Sequence, residues 1–334
     1  MTIQSIGALS ADIVNRLAEQ TGRPRPFPVE QHPVTTRGEW LRWRKQDITA
    51  SGAAALLGAH PFVTAYGLWA EKTGAVVSDD EMTEAMERGI ELEPIAVKRL
   101  AKKQPTWRVE QPNTYYRDPV TRLGATPDCF AHDPERDGFG VVQVKSVEPS
   151  VFRKKWRSED GEVEPPLWIV VQAIIEAHLT GASWAAVAAL VISYGIELHV
   201  VEVPLHAGII DRIKSETAAF WEMVAGGQRP DPDWKRDGRL IEALYDPTGE
   251  VIDLSEINYL PELADEKDAL SAQKAVADLR LKEIKAEFLA RLGSASAARI
   301  ADGRIITAKR VNKAGYSVKP SSYVDVRVKK DRAA

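Results

Sequence analysis

Hydrophobic positions recur with helical spacing in three segments of the chain, residues 39–57, 80–103 and 168–179. Apolar runs and alternating patterns typical of strands occupy four others, residues 109–116, 140–147, 184–192 and 196–203. The stretch between the first two strand segments is rich in Pro and Gly, as expected for hairpin connections. Helices, a sheet rich in hairpins, a helix and further strands together predict a mixed α/β core over residues 36–240.

Different patterns flank this core. Residues 10–17 have helical spacing and are followed by a Pro-rich stretch, so we interpret residues 1–35 as an N-terminal extension. On the other side, residues 241–297 hold a linker and a highly charged segment without Gly or Pro from 262 to 292. Apolar residues recur there every seven positions, which predicts a long helix. They are Leu263, Leu270, Ala277 and Ile284.

The last segment, residues 298–334, is predicted to be a small basic β module. An Asp302-Gly303 turn separates two runs typical of strands, and residues 321–328 form another. Ten basic residues stand against three acidic ones in this segment, a local charge of +7. The whole chain of 334 residues carries a net charge of −4, so any surface for nucleic acid must be a local patch. We expect this module to contact phosphates.

Cysteine content and hydropathy exclude several classes of protein. Cys129 is the only cysteine, which excludes a disulfide framework, zinc sites with several thiolates and four-cysteine iron–sulfur clusters. Residues 1–19 have no signal-peptide pattern, and no stretch holds 18 uncharged apolar residues. We therefore expect a cytoplasmic protein without membrane contact. No HExxH or P-loop motif is present, which argues against catalytic zinc and an ATP-driven motor.

The strongest chemical signal is a Pro-Asp pair followed by Gln-x-Lys. Asp128 follows Pro127, and Gln143 and Lys145 lie fifteen and seventeen residues later in an apolar strand. Because strand residues two apart share a face, Gln143 and Lys145 should point the same way. A carboxylate and a second oxygen ligand can hold Mg²⁺, while an ammonium group beside them orients or deprotonates water and stabilises phosphate charge. The pattern predicts a metal-dependent nuclease.

These residues resemble the PD-(D/E)xK nuclease superfamily, and specifically the phage recombination exonucleases of the lambda exonuclease or YqaJ type. Further segments fit in the family's order: residues 40–44 and 48–51, residues 89–96, residues 116–118, and an apolar helix containing Gln172. The resemblance covers about residues 38–205. It implies a restriction-endonuclease-like core, in which a mixed central sheet is flanked by helices.

The resemblance also assigns roles to residues. It implies that Arg44 and Ser51 contact the 5′ end of DNA, that Glu93 supplies a carboxylate to the metal site, and that Asp118 is a supporting acid. Gln172 supports the site from its helix. The implied metal ligands are Glu93, Asp118, Asp128 and Gln143, and the catalytic set is Glu93, Asp128, Gln143 and Lys145.

The implied activity is Mg²⁺-dependent, with Mn²⁺ as a substitute. It degrades double-stranded DNA ends from 5′ to 3′ and leaves single strands for an annealing protein in phage-type recombination. A bacterial cell carrying a phage or prophage is the implied setting, and a homotrimer the implied assembly.

One departure matters: Gln143 stands where the family usually has an acid. A weakened or inactive nuclease fold that still binds DNA ends is therefore the alternative. An endonuclease or a single-strand-specific enzyme on the same core is a third possibility.

Ordinary structural roles compete with these assignments. Asp128 and Asp118 could be turn residues, and Lys145 could extend from a strand end to solvent. Ser51 could be a helix N-cap, and Gln172 a polar position on a core helix. Arg44 could belong to an ordinary charged surface, and Glu91 is an alternative to Glu93 on the same helix.

Overall fold

The computed structural model describes residues 28–76, 83–312 and 323–329. They form two compact units that divide between Leu244 and Tyr245. The helical pattern predicted at residues 10–17 and most of the predicted N-terminal extension lie outside the described residues.

The first unit alternates helices and strands. Its helices are α1 (Arg37–Gln46), α2 (Ala50–Ala53), α3 (Ala65–Thr73), α4 (Glu84–Lys103), α5 (Pro149–Lys155), α6 (Leu167–Thr180), α7 (Ala207–Ala225) and α8 (Gly238–Leu244). Its strands are β1 (Glu30–Pro33), β2 (Ile48–Thr49), β3 (Arg108–Glu110), β4 (Thr114–Asp118), β5 (Leu123–Ala125), β6 (Cys129–His132), β7 (Gly140–Val147), β8 (Trp184–Ile192) and β9 (Ile196–Val203).

A five-stranded sheet, in the order β3-β6-β7-β8-β9, is the centre of this unit. Strands β7 and β8 are parallel, with Gly140 opposite Trp184, and the other neighbours are antiparallel. A Cβ atom on Gly140 would lie 2.3 Å from the Trp184 ring, so only glycine allows this approach. This arrangement confirms the predicted α/β class, a mixed central sheet flanked by helices.

Two apolar layers cover the faces of this sheet. Alternate residues of β8, such as Val187 and Ala189, pack in a layer with α6, while Ala186 and Ala188 pack in the layer that contains Leu100 of α4. Because both faces are covered, β8 is buried except at its last residue. The odd-numbered residues of β7 therefore face α6, and this alternation positions the site described below.

A second, four-stranded sheet has the order β1-β4-β5-β2. Strand β1 pairs antiparallel with β4, with Glu30 opposite Arg117. Residues 30–33 were expected to belong to the extension, and the structure instead makes them an edge strand of the folded unit. The Pro-rich composition that suggested an extension is compatible with an edge strand, because Pro33 at the end of β1 needs no ladder donor.

Two segments break where the sequence pattern was continuous. The helical spacing of residues 39–57 is interrupted after Gln46, because the Asp47 carboxylate accepts hydrogen bonds from Arg117 and Tyr115, and Ile48 then pairs with Leu123. The strand predicted over residues 109–116 splits into β3 and β4, with Asn113 at a φ of 46° between them.

The second unit contains the predicted long helix, α9 (Leu260–Leu292), which ends at Gly293 with a φ of 58°. A two-stranded antiparallel hairpin follows, β10 (Ala297–Arg299) and β11 (Ile305–Thr307). The strand predicted near the C-terminus is not formed at residues 323–329, whereas residues 321–322 lie outside the described part. None of the helices in the described ranges combines the length and apolarity needed to cross a membrane.

Candidate active site

Asp128 lies directly before β6, and its carboxylate is held by the neighbouring strand β7. The Asp128 Oδ2 atom accepts a hydrogen bond from the backbone N–H of Val144 at 2.7 Å and a short one from the Gln143 side-chain amide. Burial raises the pKa of Asp128, while Lys145 and the two hydrogen bonds oppose that rise. The alternation of β7 places Gln143 and Lys145 on one face, as predicted.

A buried chain of hydrogen bonds extends from Asp128 into helix α6. The Nε2 atom of Gln172 donates to Gln143 Oε1 at 2.8 Å and to Glu176 Oε1 at 2.9 Å. The two carboxylates at the ends of the chain therefore both accept from an amide nitrogen. Glu176 is 1% exposed, and burial followed by the charge of Asp128 raises its pKa well above the usual range.

Glu93 reaches the site from α4. Its Oε1 atom accepts a hydrogen bond from Gln111 at 2.9 Å. Burial and the nearby charge of Asp128 raise the pKa of Glu93 to about 7. Glu91, the alternative on the same helix, is exposed and does not line the pocket that Glu93 lines. Pro94 within α4 cannot donate to the carbonyl of Ile90, which weakens the helix next to Glu93.

Helix α1 supplies the arginine of the site. The guanidinium carbon of Arg44 lies 4.3 Å from the centre of the Trp40 ring, and its Nη2 atom is 3.4 Å from Ser51 Oγ. Burial lowers the pKa of Arg44. Trp40 Nε1 donates to Thr126 Oγ1 at 3.1 Å, two residues before Asp128. Thus α1 is bonded directly to the segment that positions Asp128.

The predicted residues converge on one pocket of about 510 Å³. Arg44, Glu93, Asp128 and Lys145 all line it. Gln143 and Gln172 do not line the pocket: Gln143 contacts Asp128, and Gln172 contacts Gln143. Ser51 does not line it either, but it contacts Arg44. Two half-buried or buried carboxylates, one ammonium and one guanidinium in a shared cavity can bind a phosphate and a divalent cation together.

Two predicted metal ligands are placed differently. Asp118 is buried, but its carboxylate accepts hydrogen bonds from the backbone of Val120 and from both the backbone and the hydroxyl of Thr121. This placement favours the turn alternative. The oxygen of Gln143 faces Gln172, and its nitrogen faces Asp128. In this orientation Gln143 is a hydrogen-bond donor to Asp128, in contrast with the oxygen ligand for a metal that was expected from the sequence.

A family model described as the YqaJ-like viral recombinase domain matches residues 39–183. This range contains Arg44, Glu93, Asp128 and Lys145 of the pocket and every residue of the buried chain. Residues 39–183 are therefore similar to the YqaJ-like viral recombinase domain. The resemblance predicted from the motifs is thereby confirmed.

A curated relative of this domain is the uncharacterized protein YqaJ of Bacillus subtilis (strain 168), 26% identical over 201 residues. The alignment covers 59% of this chain and 60% of the relative, so the chain spans about three fifths of the relative's length. Among solved structures, an alkaline exonuclease, LHK-Exo from Laribacter hongkongensis, is similar at 20% identity over 57% of this chain and 93% of the other, with a TM-score of 0.41. LHK-Exo in complex with dAMP gives 19% identity and a TM-score of 0.43 over the same shares.

The region matched by the family model contains functional candidates that the motifs did not reveal. Glu176 and Gln111 contact site residues directly, yet neither belongs to a motif used in the prediction. For Glu176 a signal existed: it lies four residues after Gln172 on an otherwise apolar helix, so both should share one buried face. Gln111 lies in the irregular segment between β3 and β4, and no periodic pattern indicates its contact with Glu93.

Proposed function

We propose that this protein is a metal-dependent DNA exonuclease. The observation that carries the proposal is the pocket in which Arg44, Glu93, Asp128 and Lys145 meet. Phosphodiester hydrolysis needs a group that binds phosphate, a group that offsets developing negative charge and carboxylates that hold a cation. The pocket supplies all three, and the match to a viral recombinase domain supports nucleic acid as the substrate.

The carboxylates of Glu93 and Asp128 fit a divalent cation, Mg²⁺ or, as a substitute, Mn²⁺. The charge of Asp128 contributes to the raised pKa of Glu93. In the described part of the chain no group of three or more His, Cys, Asp or Glu side chains could hold a metal. Mg²⁺ commonly uses one or two carboxylates, with water and substrate phosphate completing its shell, so a pair suffices. When bound, the cation would polarise the phosphate and lower the pKa of the attacking water.

The protein's own groups position the reaction. Val144 N–H and the Gln143 amide fix the Asp128 carboxylate, and Gln172 fixes Gln143 in turn. The Lys145 ammonium, on the same strand face as Gln143, would donate to the scissile phosphate and offset its charge. Hydrolysis adds the water oxygen to phosphorus and breaks the P–O bond to the departing oxygen, which takes a proton.

Arg44 is proposed to hold the 5′-terminal phosphate. Its guanidinium is held in place by stacking on Trp40 and by a hydrogen bond to Ser51. A forked guanidinium binds two phosphate oxygens at once, and such a clamp at the pocket would select a strand end. This role is the basis for proposing 5′ to 3′ polarity on ends of duplex DNA.

The remaining parts of the proposal come from the resemblance. They are a role in phage-type recombination, delivery of the single strand to an annealing protein, assembly as a homotrimer, and a location in the bacterial cytoplasm.

A protein that binds DNA ends without cleaving them is the second candidate. Gln143 favours it, because the site has one carboxylate fewer than the family's usual acidic residue would give. If cleavage is absent in the native chain and Gln143→Glu creates it, this second candidate is correct.

The test is cleavage of linear duplex DNA with a 5′-phosphate, labelled at either end, in Mg²⁺ or EDTA. We expect loss from the 5′ end in Mg²⁺ only, and no cleavage by Asp128→Ala or Lys145→Ala. A circular duplex distinguishes an endonuclease, which would cut it. Binding of the linear duplex without cleavage would reject the enzyme proposal.

A further inference from the structure

A large aromatic side chain is exposed close to the pocket. Phe62 is 82% exposed, although it lies in the loop between α2 and α3 beside the folded core. An exposed ring is not by itself a binding site, so its contacts with the rest of the site decide what it can do.

The loop that carries Phe62 is held by specific hydrogen bonds. The Nδ1 atom of His60 accepts the backbone N–H groups of Phe62 and Val63, at 3.1 and 2.9 Å. Arg236 Nη2 donates to the carbonyls of His60 and Val63, at 2.8 and 3.0 Å. Thr64 Oγ1 donates to the buried Asp237 at 2.6 Å. The ring of Phe62 is therefore presented by a fixed backbone.

Phe62 is joined to the catalytic strand through Trp168. The Phe62 and Trp168 rings meet edge to face, with centres 6.3 Å apart at 81°. On the other side, Lys145 Nζ lies 5.9 Å from the centre of the Trp168 ring. Neither aromatic residue lines the pocket, whereas Lys145 does. We call these two rings the aromatic platform. It lies outside the pocket and next to it, with Lys145 between the two.

We infer that the aromatic platform of Phe62 and Trp168 is a stacking site for an unpaired nucleobase of the substrate strand. This inference rests on the proposed nuclease function. A strand whose scissile phosphate lies at Lys145 must continue beyond the pocket, and it leaves past Trp168. Aromatic faces bind any base by stacking, while the cationic Lys145 next to Trp168 suits the phosphate beside the stacked base.

The test measures DNA binding by the full chain in EDTA, where cleavage does not occur. The probes are a fluorescent duplex with a short 5′ overhang and the same duplex with abasic residues in the overhang. Phe62→Ala should weaken binding to the intact overhang about tenfold and leave binding to the abasic overhang unchanged. Tyr194→Ala is the matched control, because Tyr194 is a fully exposed aromatic residue on the turn between β8 and β9. That variant should bind both probes like the parent protein.

The outcomes are separable. If Phe62→Ala binds the intact overhang like the parent, or loses affinity equally for both probes, the stacking site is wrong even when the parent cleaves DNA normally. If the parent binds neither probe and does not cleave DNA, the proposed function fails and the platform fails with it. A 2-aminopurine base in the overhang gives a second readout. Its fluorescence should be quenched by the parent and by Tyr194→Ala, but not by Phe62→Ala.

Discussion

The Gln172 amide nitrogen donates to the Gln143 oxygen at 2.8 Å, and this bond turns the Gln143 nitrogen toward Asp128. Reversing the Gln143 amide would bring its oxygen against the Asp128 carboxylate and its N–H groups against those of Gln172. The residue that replaces the usual acid is therefore locked as a hydrogen-bond donor. Its role is to hold a carboxylate in position.

Gln143→Glu should destabilise the metal-free protein. The substitution replaces an N–H donor by a second carboxyl group beside Asp128, and we expect a loss of about 1–3 kcal/mol in the free energy of unfolding. Mg²⁺ should raise the melting temperature of the variant more than that of the parent, because the cation offsets the added charge. Thermal unfolding in EDTA and in Mg²⁺ measures both effects. A variant as stable as the parent in EDTA would show that Gln143 does not donate to Asp128.

Glu176→Leu should slow cleavage without weakening DNA binding. The change removes the acceptor for the second N–H of Gln172, so the Gln143 amide loses part of its fixed orientation. Outer residues that orient a metal site typically affect activity by about 10–100-fold. We expect that fall in kcat at an unchanged KM for DNA.

Thr180→Val is the control for the Glu176 prediction. Thr180 is buried on the same helix, and its hydroxyl donates only to the backbone carbonyls of Glu176 and Ala177. An equal fall in kcat for both variants would indicate a general disturbance of α6 and would contradict a specific role for Glu176.

The raised pKa of Glu93 predicts a pH dependence of stability in EDTA. Below the ordinary value of 4.5 the residue is protonated in both the folded and unfolded chain. Between 4.5 and about 7 the unfolded chain ionises first, so this contribution to stability falls as pH rises and is constant above that range. Melting temperatures across this range should show a smaller decrease for Glu93→Gln than for the parent.

The affinity for Mg²⁺ should rise between pH 4.5 and about 7, because binding of the cation releases the proton of the Glu93 carboxyl group.

Asp47→Ala should destabilise the first unit strongly. Asp47 is fully buried, and its two oxygens bind Arg117 at 2.9 Å each, with Tyr115 OH at 3.1 Å. Removing one partner leaves a largely buried guanidinium with only Glu30, at 3.2 Å, so we expect a loss of about 3–5 kcal/mol. Chemical denaturation measures the change.

Glu202→Ala serves as the comparison for Asp47. It breaks the exposed ion pair with Arg136, at 2.9 Å, and should cost under about 1 kcal/mol. Similar losses for the two variants would mean that the buried pair contributes no more than a surface pair.

Local signals explain which features were predictable from the sequence. The alternation of Gln143, Val144 and Lys145 requires only a strand, and the regular apolar spacing of α9 requires only a helix, so both were found. The Pro-Asp pair and Gln172 were found through ordered motifs. Pairing of Glu30 with Arg117 joins residues far apart in the chain, and it left no periodic trace. The turn contacts of Asp118 and the orientation of Gln143 likewise depend on partners that only the folded chain brings together.

Strand β7 pairs with β6 on one side and β8 on the other. Its side chains alternate between the two faces of the sheet, and this alternation decides which residues face the site. One residue inserted between Gly140 and Gln143 would turn Gln143 and Lys145 toward α4 and place valines opposite Gln172. The loop at residues 133–139 can change length, because it joins the two strands without entering their pairing. Within the strand itself, an insertion would move the proposed catalytic residues away from their partners.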